Sequence, residues 1–318
     1  MSNLGAVNYR AYLATHKSNK STLQAIDLTI PTAPVMLANY TGFGGSSLAI
    51  EGWNNYLYIF TGDKVLQIVD FSNPLSPILR NTIQLPLSST ESVQHTEMHI
   101  SKDHLYLLVS TTAPDGELLA LDLSNPVKPR LVASYHTPYH LWDMVVREPY
   151  VYLLRQSGLT TPPDILSILD VSEAMTLTEV FSYSIGSEIR TLAVAGNYTY
   201  LGGTSLETWD IHDLTAATRV HTTTMPESGI LLDSFIQGEH LYGVTATGGY
   251  LGKLYLFDLS NPEAPLSNQV ATFPVMATKA EAQGDYIYVA AGEAGFFIFH
   301  DPIAFEVTSR LYLPIMVR

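Results

Sequence analysis

The segment "SVQHTEMHIS", residues 92–101, places His95, Glu97 and His99 at i, i+2 and i+4. On a strand, alternate residues share one side, so two imidazoles and a carboxylate would line up together. Such groups hold divalent transition metals, and a metal with an open position can activate water or polarise a carbonyl. A second cluster follows in "YHTPYHLWD", with His136, His140, Trp142 and Asp143. The candidate metal set is therefore His95, Glu97, His99 and His140, and a divalent metal is the one cofactor these residues suggest. Two features oppose a single shared ion. Residues i and i+4 of a strand lie roughly 13 Å apart, which separates His95 from His99. "HTEMH" also departs from HExxH, whose histidines need a helix to reach one face.

Other chemistries find less. Glu97, Asp143 and Asp233 could pair as the acid and base of a glycosidase if they stood roughly 5 to 10 Å apart. No Gly-rich phosphate loop follows a strand and opens a helix, and "TGFGG" (41–45) and "TGGYLG" (247–252) read as turns. No G-x-S-x-G elbow occurs, and the chain has no cysteine, which removes thiol catalysis, disulfides and Cys-based metal sites.

The elements that position these residues are repeats. An aromatic-flanked strand recurs as "YRAYLA", "NYLYIF", "DHLYLL", "PYVYLL", "NYTYLG", "EHLYGV" and "DYIYVA". Its central tyrosines are Tyr12, Tyr58, Tyr106, Tyr152, Tyr200, Tyr242 and Tyr288, with gaps of 46, 48, 46, 48, 42 and 46 residues. After each comes a strand ending in aspartate: "LQAIDL", "LQIVDF", "LLALDL", "LSILDV", "LETWDI", "LYLFDL" and, more loosely, "FFIFHD". Three copies continue "SNP", a turn in which side chains satisfy local amides and proline fixes φ. A further strand precedes each tyrosine and another follows each turn. Four short antiparallel strands in about 45 residues, seven times over, predict an all-β, seven-bladed β-propeller of four-stranded antiparallel blades. The expected blades are residues 1–42, 43–90, 91–137, 138–185, 186–226, 227–275 and 276–318, forming one propeller over 1–318.

The "LQIVDFSNPLSP" and "LLALDLSNPVKP" segments resemble the LVIVD-repeat family, which is named for that strand and continues into an Asp-Ser-Asn-Pro turn. Copies five and seven, "WDIHDLTAA" and "FHDPIAFE", depart from the full turn. The resemblance implies an extracytoplasmic bacterial or archaeal propeller and carries no general catalytic signature. It also implies an acidic residue before the inner strand's apolar pair. "RLYLPIMVR" is similar to the tails of some exported proteins. "MSNLGAVNYR" lacks the charged and apolar regions of a signal peptide, so export would require a signal outside the given chain.

The net charge of −14, without a Lys/Arg cluster, disfavours nucleic acid and anionic membranes as partners. No apolar run reaches the ~18 residues of a membrane-spanning helix.

Counting nine residues back from each tyrosine gives Asn3, Glu97, Asp143, Thr191, Asp233 and Lys279. In the second copy "GWNN" is read as a longer turn, making Ser47 the equivalent. This expected polar ring near a channel mouth can serve structure, by accepting loop amides, or function. The first blade is expected to supply its own inner strand from the N-terminus, with "PIMVR" as the alternative closure.

Glu97, His140, Trp142, Asp143, Arg190, Asp233 and Lys279 are thus the candidate ligand residues, with Glu188, Tyr135 and Tyr139 nearby. They suit a binding or interaction propeller, without chemistry of its own, that recognises a small polar molecule, glycan or protein partner. A metal-dependent hydrolase or lyase at the same mouth, and a purely structural or adhesive repeat protein, are the alternatives.

Overall fold

A strand such as "YLYIFT" (Tyr56–Thr61) is apolar on both parities, so both faces of its sheet must find apolar partners. The computed structural model shows how they do. It describes residues 2–7, 10–17, 20–30, 33–40, 47–156, 163–173, 176–225, 229–247, 251–273, 275–284, 286–291, 296–300 and 313–315. Seven antiparallel sheets of four strands follow one another along the chain, each built from sequence-consecutive strands. The structure is an all-β, seven-bladed propeller. Among the described residues no helix is long and apolar enough to cross a membrane.

The inner strands are Ser2–Val7, Ser47–Trp53, Val93–Ser101, His140–Arg147, Thr191–Ala195, Gly229–Gln237 and Lys279–Gln283. The first packs against both the second and the last, which closes the ring. The C-terminal segment Leu313–Ile315 pairs with Phe296–His300 as the outer strand of the seventh blade. The N-terminus therefore supplies the first inner strand, and the alternative closure through "PIMVR" is not adopted. Between blades the core is continuous: Tyr58, Phe60, Leu66 and Ile68 of blade two meet Met98, Leu105, Leu107, Leu119 and Leu121 of blade three.

Inner and second strands are joined by two-residue hairpins. Trp53 pairs with Tyr56, Ser101 with His104, Ala195 with Tyr198 and Gln237 with His240. The first turn residue has a positive φ, 55° at Asn54 and 59° at Gly238, as hairpin turns that match strand twist require. "GWNN" thus makes the same short turn as its counterparts, contrary to the longer turn read from the sequence.

The two repeated motifs hold each other. Asp70 Oδ1 accepts from Ser72 N (2.8 Å), Asp122 from Ser124 N (2.7 Å) and Asp258 from Ser260 N (2.8 Å). The drifted fifth copy keeps this bond, Asp210 accepting from His212 N at 2.8 Å. Asp301 of the seventh copy lies outside the described residues. All seven central tyrosines are buried. Tyr58 Oη donates to Pro126 O of the next blade's turn (3.0 Å), and Tyr200 Oη does the same to Pro262 O (3.1 Å). The proline of one repeat is thereby a socket for the tyrosine of the repeat before it.

The outermost pair in blades one to five carries a β-bulge at one recurrent point, as between Ile68 and Val69 or Ala120 and Leu121. Bulged edges resist pairing with another sheet.

Tyr58→Phe and Tyr200→Phe each remove one interblade donor and leave a proline carbonyl unpaired. Each is expected to cost about 1–2 kcal/mol in urea or thermal unfolding while far-UV circular dichroism stays unchanged.

Candidate functional site

Strand pairing defines one position per inner strand that lies opposite the residue two beyond the central tyrosine. It holds Asn3, Ala49, Glu97, Asp143, Thr191, Asp233 and Lys279. Six of these match the count made on the sequence. The seventh is a correction: Ala49, not Ser47, faces Phe60, because the turn after Trp53 is no longer than its counterparts and the count of nine back from Tyr58 applies unchanged; a bulge lies between Ser47 and Ala49. The same bulge recurs between Leu141 and Asp143 and between Leu231 and Asp233. It makes Trp142 the bulged residue of its strand, and bulges re-aim side chains. The ring sits five residues before each hairpin turn, mid-strand in Val93–Ser101, His140–Arg147 and Gly229–Gln237. It lies inside the channel rather than at its rim.

Ring side chains bond the following blade one position on. Asp143 Oδ2 accepts from Leu192 N (2.6 Å), Thr191 Oγ1 meets Ser234 Oγ (2.8 Å), and Asp233 Oδ2 accepts from Ala280 N (2.8 Å). Glu97 Oε2 stands 3.4 Å from Met144 N, which donates to Asp143 Oδ1 at 2.7 Å. Lys279 Nζ then crosses the channel to Glu97 Oε1 at 3.1 Å. The circuit runs from blade three through blade seven and back.

Electrostatics follow from enclosure. Burial and the adjacent Glu97 carboxylate push Asp143 well above the usual carboxylate range. Burial acts on Glu97 in the same direction, but the Lys279 ammonium, the hydrogen bond from Asp143 and the two imidazoles hold it below its ordinary value. Glu97 in turn raises Lys279. The proton between the carboxyls therefore resides on Asp143, and the charged pair is Lys279–Glu97. Burial also raises Asp233 and lowers His95 and His99. Two residues nearer the hairpin stand Glu51, His99 and Glu281, opposite Tyr58, Tyr106 and Tyr288. Glu51 is pushed up to about 8 by burial and by Glu281. The sequence reading missed Glu51 and Glu281, although counting seven rather than nine residues back from the tyrosines finds both.

On the entrance side of the ring the chemistry changes. The His95 ring is parallel to Trp142, with centroids 5.0 Å apart and an interplanar angle of 3°. The Arg190 guanidinium carbon stands 4.5 Å from the Trp142 centroid. Arg190 Nη1 donates to Gln156 Oε1 at 3.0 Å, and Gln156 is paired in register with His140. Gln156 had no distinguishing signal in the sequence. Of the other residues expected nearby, Tyr135 joins Glu179 and Arg155, Tyr139 lies under the Arg155 guanidinium, and Glu188 is exposed with φ 63°.

The proposed metal set is not assembled. Among the described residues no three His, Asp or Glu side chains form a group that could hold a metal ion. His95 is turned onto Trp142, His99 Nε2 is 4.0 Å from Glu97, and the Lys279 ammonium covers the Glu97 oxygen that a cation would need.

A family model described as LVIVD repeat matches residues 44–84, 111–137 and 276–299. The chain is a seven-bladed propeller that carries LVIVD repeats. No curated protein matches the sequence. Among solved structures it is similar to the computationally designed Ika8 protein, with 12% identity, a TM-score of 0.64, and 94% of this chain and 83% of that one covered. It is also similar to Sqt1 of Saccharomyces cerevisiae, with 9% identity, a TM-score of 0.61 and coverage of 94% and 95%. A chain of a mitotic checkpoint complex gives 10%, 0.66, 94% and 90%. At these identities the likeness shows the fold alone.

Two outcomes follow from the buried cluster. Below the ordinary value of 4.5, Glu51 is protonated in both folded and unfolded chains; between 4.5 and about 8 only the unfolded chain ionises. Its contribution to stability therefore falls as pH rises through that window. Glu51→Gln should match the wild type near pH 4 and unfold at higher urea at pH 8.5. Lys279→Met leaves Glu97 enclosed without its cation and should lose about 1–3 kcal/mol, less than for a fully buried pair because Lys279 keeps some solvent. The double variant with Glu97→Gln should recover most of that loss in a double-mutant cycle.

Proposed function

We propose that this propeller is a binding protein of the cell exterior that holds a small polar ligand at the channel entrance formed by blades three to five. The contrast between two tiers carries the reading. Ring side chains Asp143, Thr191 and Asp233 are committed to blade-to-blade bonds, and Glu97 to Lys279. One step toward the entrance, His95, His140, Trp142, Gln156 and Arg190 are all half-buried and bring aromatic surface and polar groups together. Polar groups placed around an apolar surface are what small-molecule sites use for orientation. The exterior location follows the resemblance of the repeats to extracytoplasmic proteins.

The proton held between Asp143 and Glu97 favours one second reading, an acid–base hydrolase or lyase. It ranks lower because both Asp143 oxygens already accept backbone N–H bonds.

Trp142 is one of three tryptophans and reports on the entrance. A panel of small polar molecules, oligosaccharides and short peptides would be screened by intrinsic fluorescence. The expected ligand perturbs the emission of the wild type and of the Trp53→Phe, Trp209→Phe double variant, but not that of Trp142→Phe. Ligands that bind by calorimetry yet leave Trp142 undisturbed would move the site elsewhere.

A further inference from the structure

Arg190 differs from five other guanidinium groups among the described residues. Arg80, Arg130, Arg155 and Arg219 pair with Asp70, Asp122, Glu179 and Glu207. Arg147 is exposed and donates to a carbonyl, Gly196 O. Arg190 is half-buried, yet its partners are neutral: the Gln156 amide oxygen and the Trp142 indole face. In a chain with 30 acidic and 16 basic residues, carboxylates are in surplus, so a sheltered guanidinium with none is notable.

The group is also held rigidly. Asp164 Oδ2 accepts from Ile189 N (3.1 Å), Gln156 Nε2 donates to Ile189 O (2.8 Å), and Arg190 N donates to Gly202 O (2.7 Å). Gln156 therefore uses one end to fix the Arg190 backbone and the other to fix its side chain. Glu188, two residues earlier, has a φ of 63°, a conformation that side-chain-bearing residues adopt rarely and that the surrounding bonds sustain. Of five guanidinium N–H donors, one is committed to a described acceptor. A guanidinium stacked on an indole with its fork otherwise open is pre-organised for a planar, two-oxygen acceptor.

We infer that Arg190 anchors a carboxylate group, so that the ligand of the entrance is a carboxylate-bearing molecule, either a free organic acid or the C-terminus of a peptide. The inference rests on the entrance being the binding face. The acidic ring beneath does not oppose it. Lys279 covers Glu97, burial and Glu97 push Asp143 well above the usual carboxylate range, and burial raises Asp233.

The test uses four probes on the whole chain: propionate, an acetylated tripeptide with a free C-terminus, its C-terminal amide, and glucose. Binding is read by calorimetry and by Trp142 fluorescence. One or both acids are expected to bind with a single site, and the amide and glucose are not. Propionate binding as well as the peptide acid identifies a free acid; binding of the peptide acid alone identifies a C-terminus. Arg190→Gln is expected to weaken the acid roughly tenfold or more. Arg190→Lys keeps the charge and the indole contact but not the fork, and is expected to lose several-fold; thermal melts confirm that both variants fold. The comparison of acid with amide on the wild type does not depend on any variant. Equal binding of acid and amide, or acid binding unchanged in Arg190→Gln, overturns the inference. A response of Trp142 to glucose or the amide without acid binding overturns it while leaving the entrance as the binding face. No response of Trp142 to any probe removes both.

Discussion

A sheet that is apolar on both faces can be stable in water only with another sheet against each face. Blades two and three show this contact residue by residue, with Tyr58 and Phe60 packed against Leu105 and Leu107. Because every blade has the same need, the first must meet the last, and the inner strands Ser2–Val7 and Lys279–Gln283 supply that meeting without exchange of a strand. The channel is a by-product of closure. It is also where the backbone of seven inner strands runs side by side, with N–H groups that need acceptors.

Asp143, Asp233 and, more loosely, Glu97 meet that need by accepting N–H groups of the following blade. Carboxyls enclosed in this way would repel one another if all were ionised. The structure avoids this by protonating some and placing a single ammonium, that of Lys279, on the remaining charge. Acidic residues in this channel are thus explained first by closure of the ring. Trp142 and Arg190 occupy the positions just before the ring residues Asp143 and Thr191, where side chains are freed from that task.

Much of the fold was legible. The tyrosine spacing and the Asp-Ser-Asn-Pro turns are local signals, since strand alternation and turn chemistry operate within a few residues. Counting back from the tyrosines located six ring positions, because hairpins of equal length preserve register. The seventh, Ala49, also lies nine residues before its tyrosine, Tyr58; it was missed because "GWNN" was read as a longer turn, whereas Trp53 pairs with Tyr56 across a turn of ordinary length. His95, Glu97 and His99 shared a strand as expected, yet His95 went to Trp142 and Glu97 to Lys279.

The sequence by itself determined the blades, their number and the polar character of the inner strands. Tertiary structure decided which partner each ionisable group would have. Glu97 and Lys279 are 182 residues apart, and Asp143 and Leu192 are 49 apart, so nothing in the local pattern links them. The same holds for the tyrosine of one repeat and the proline carbonyl of the next, 68 residues away for Tyr58. Strand and turn preferences act over a few residues, whereas hydrogen bonds and ion pairs depend on distances that exist only once the ring has closed.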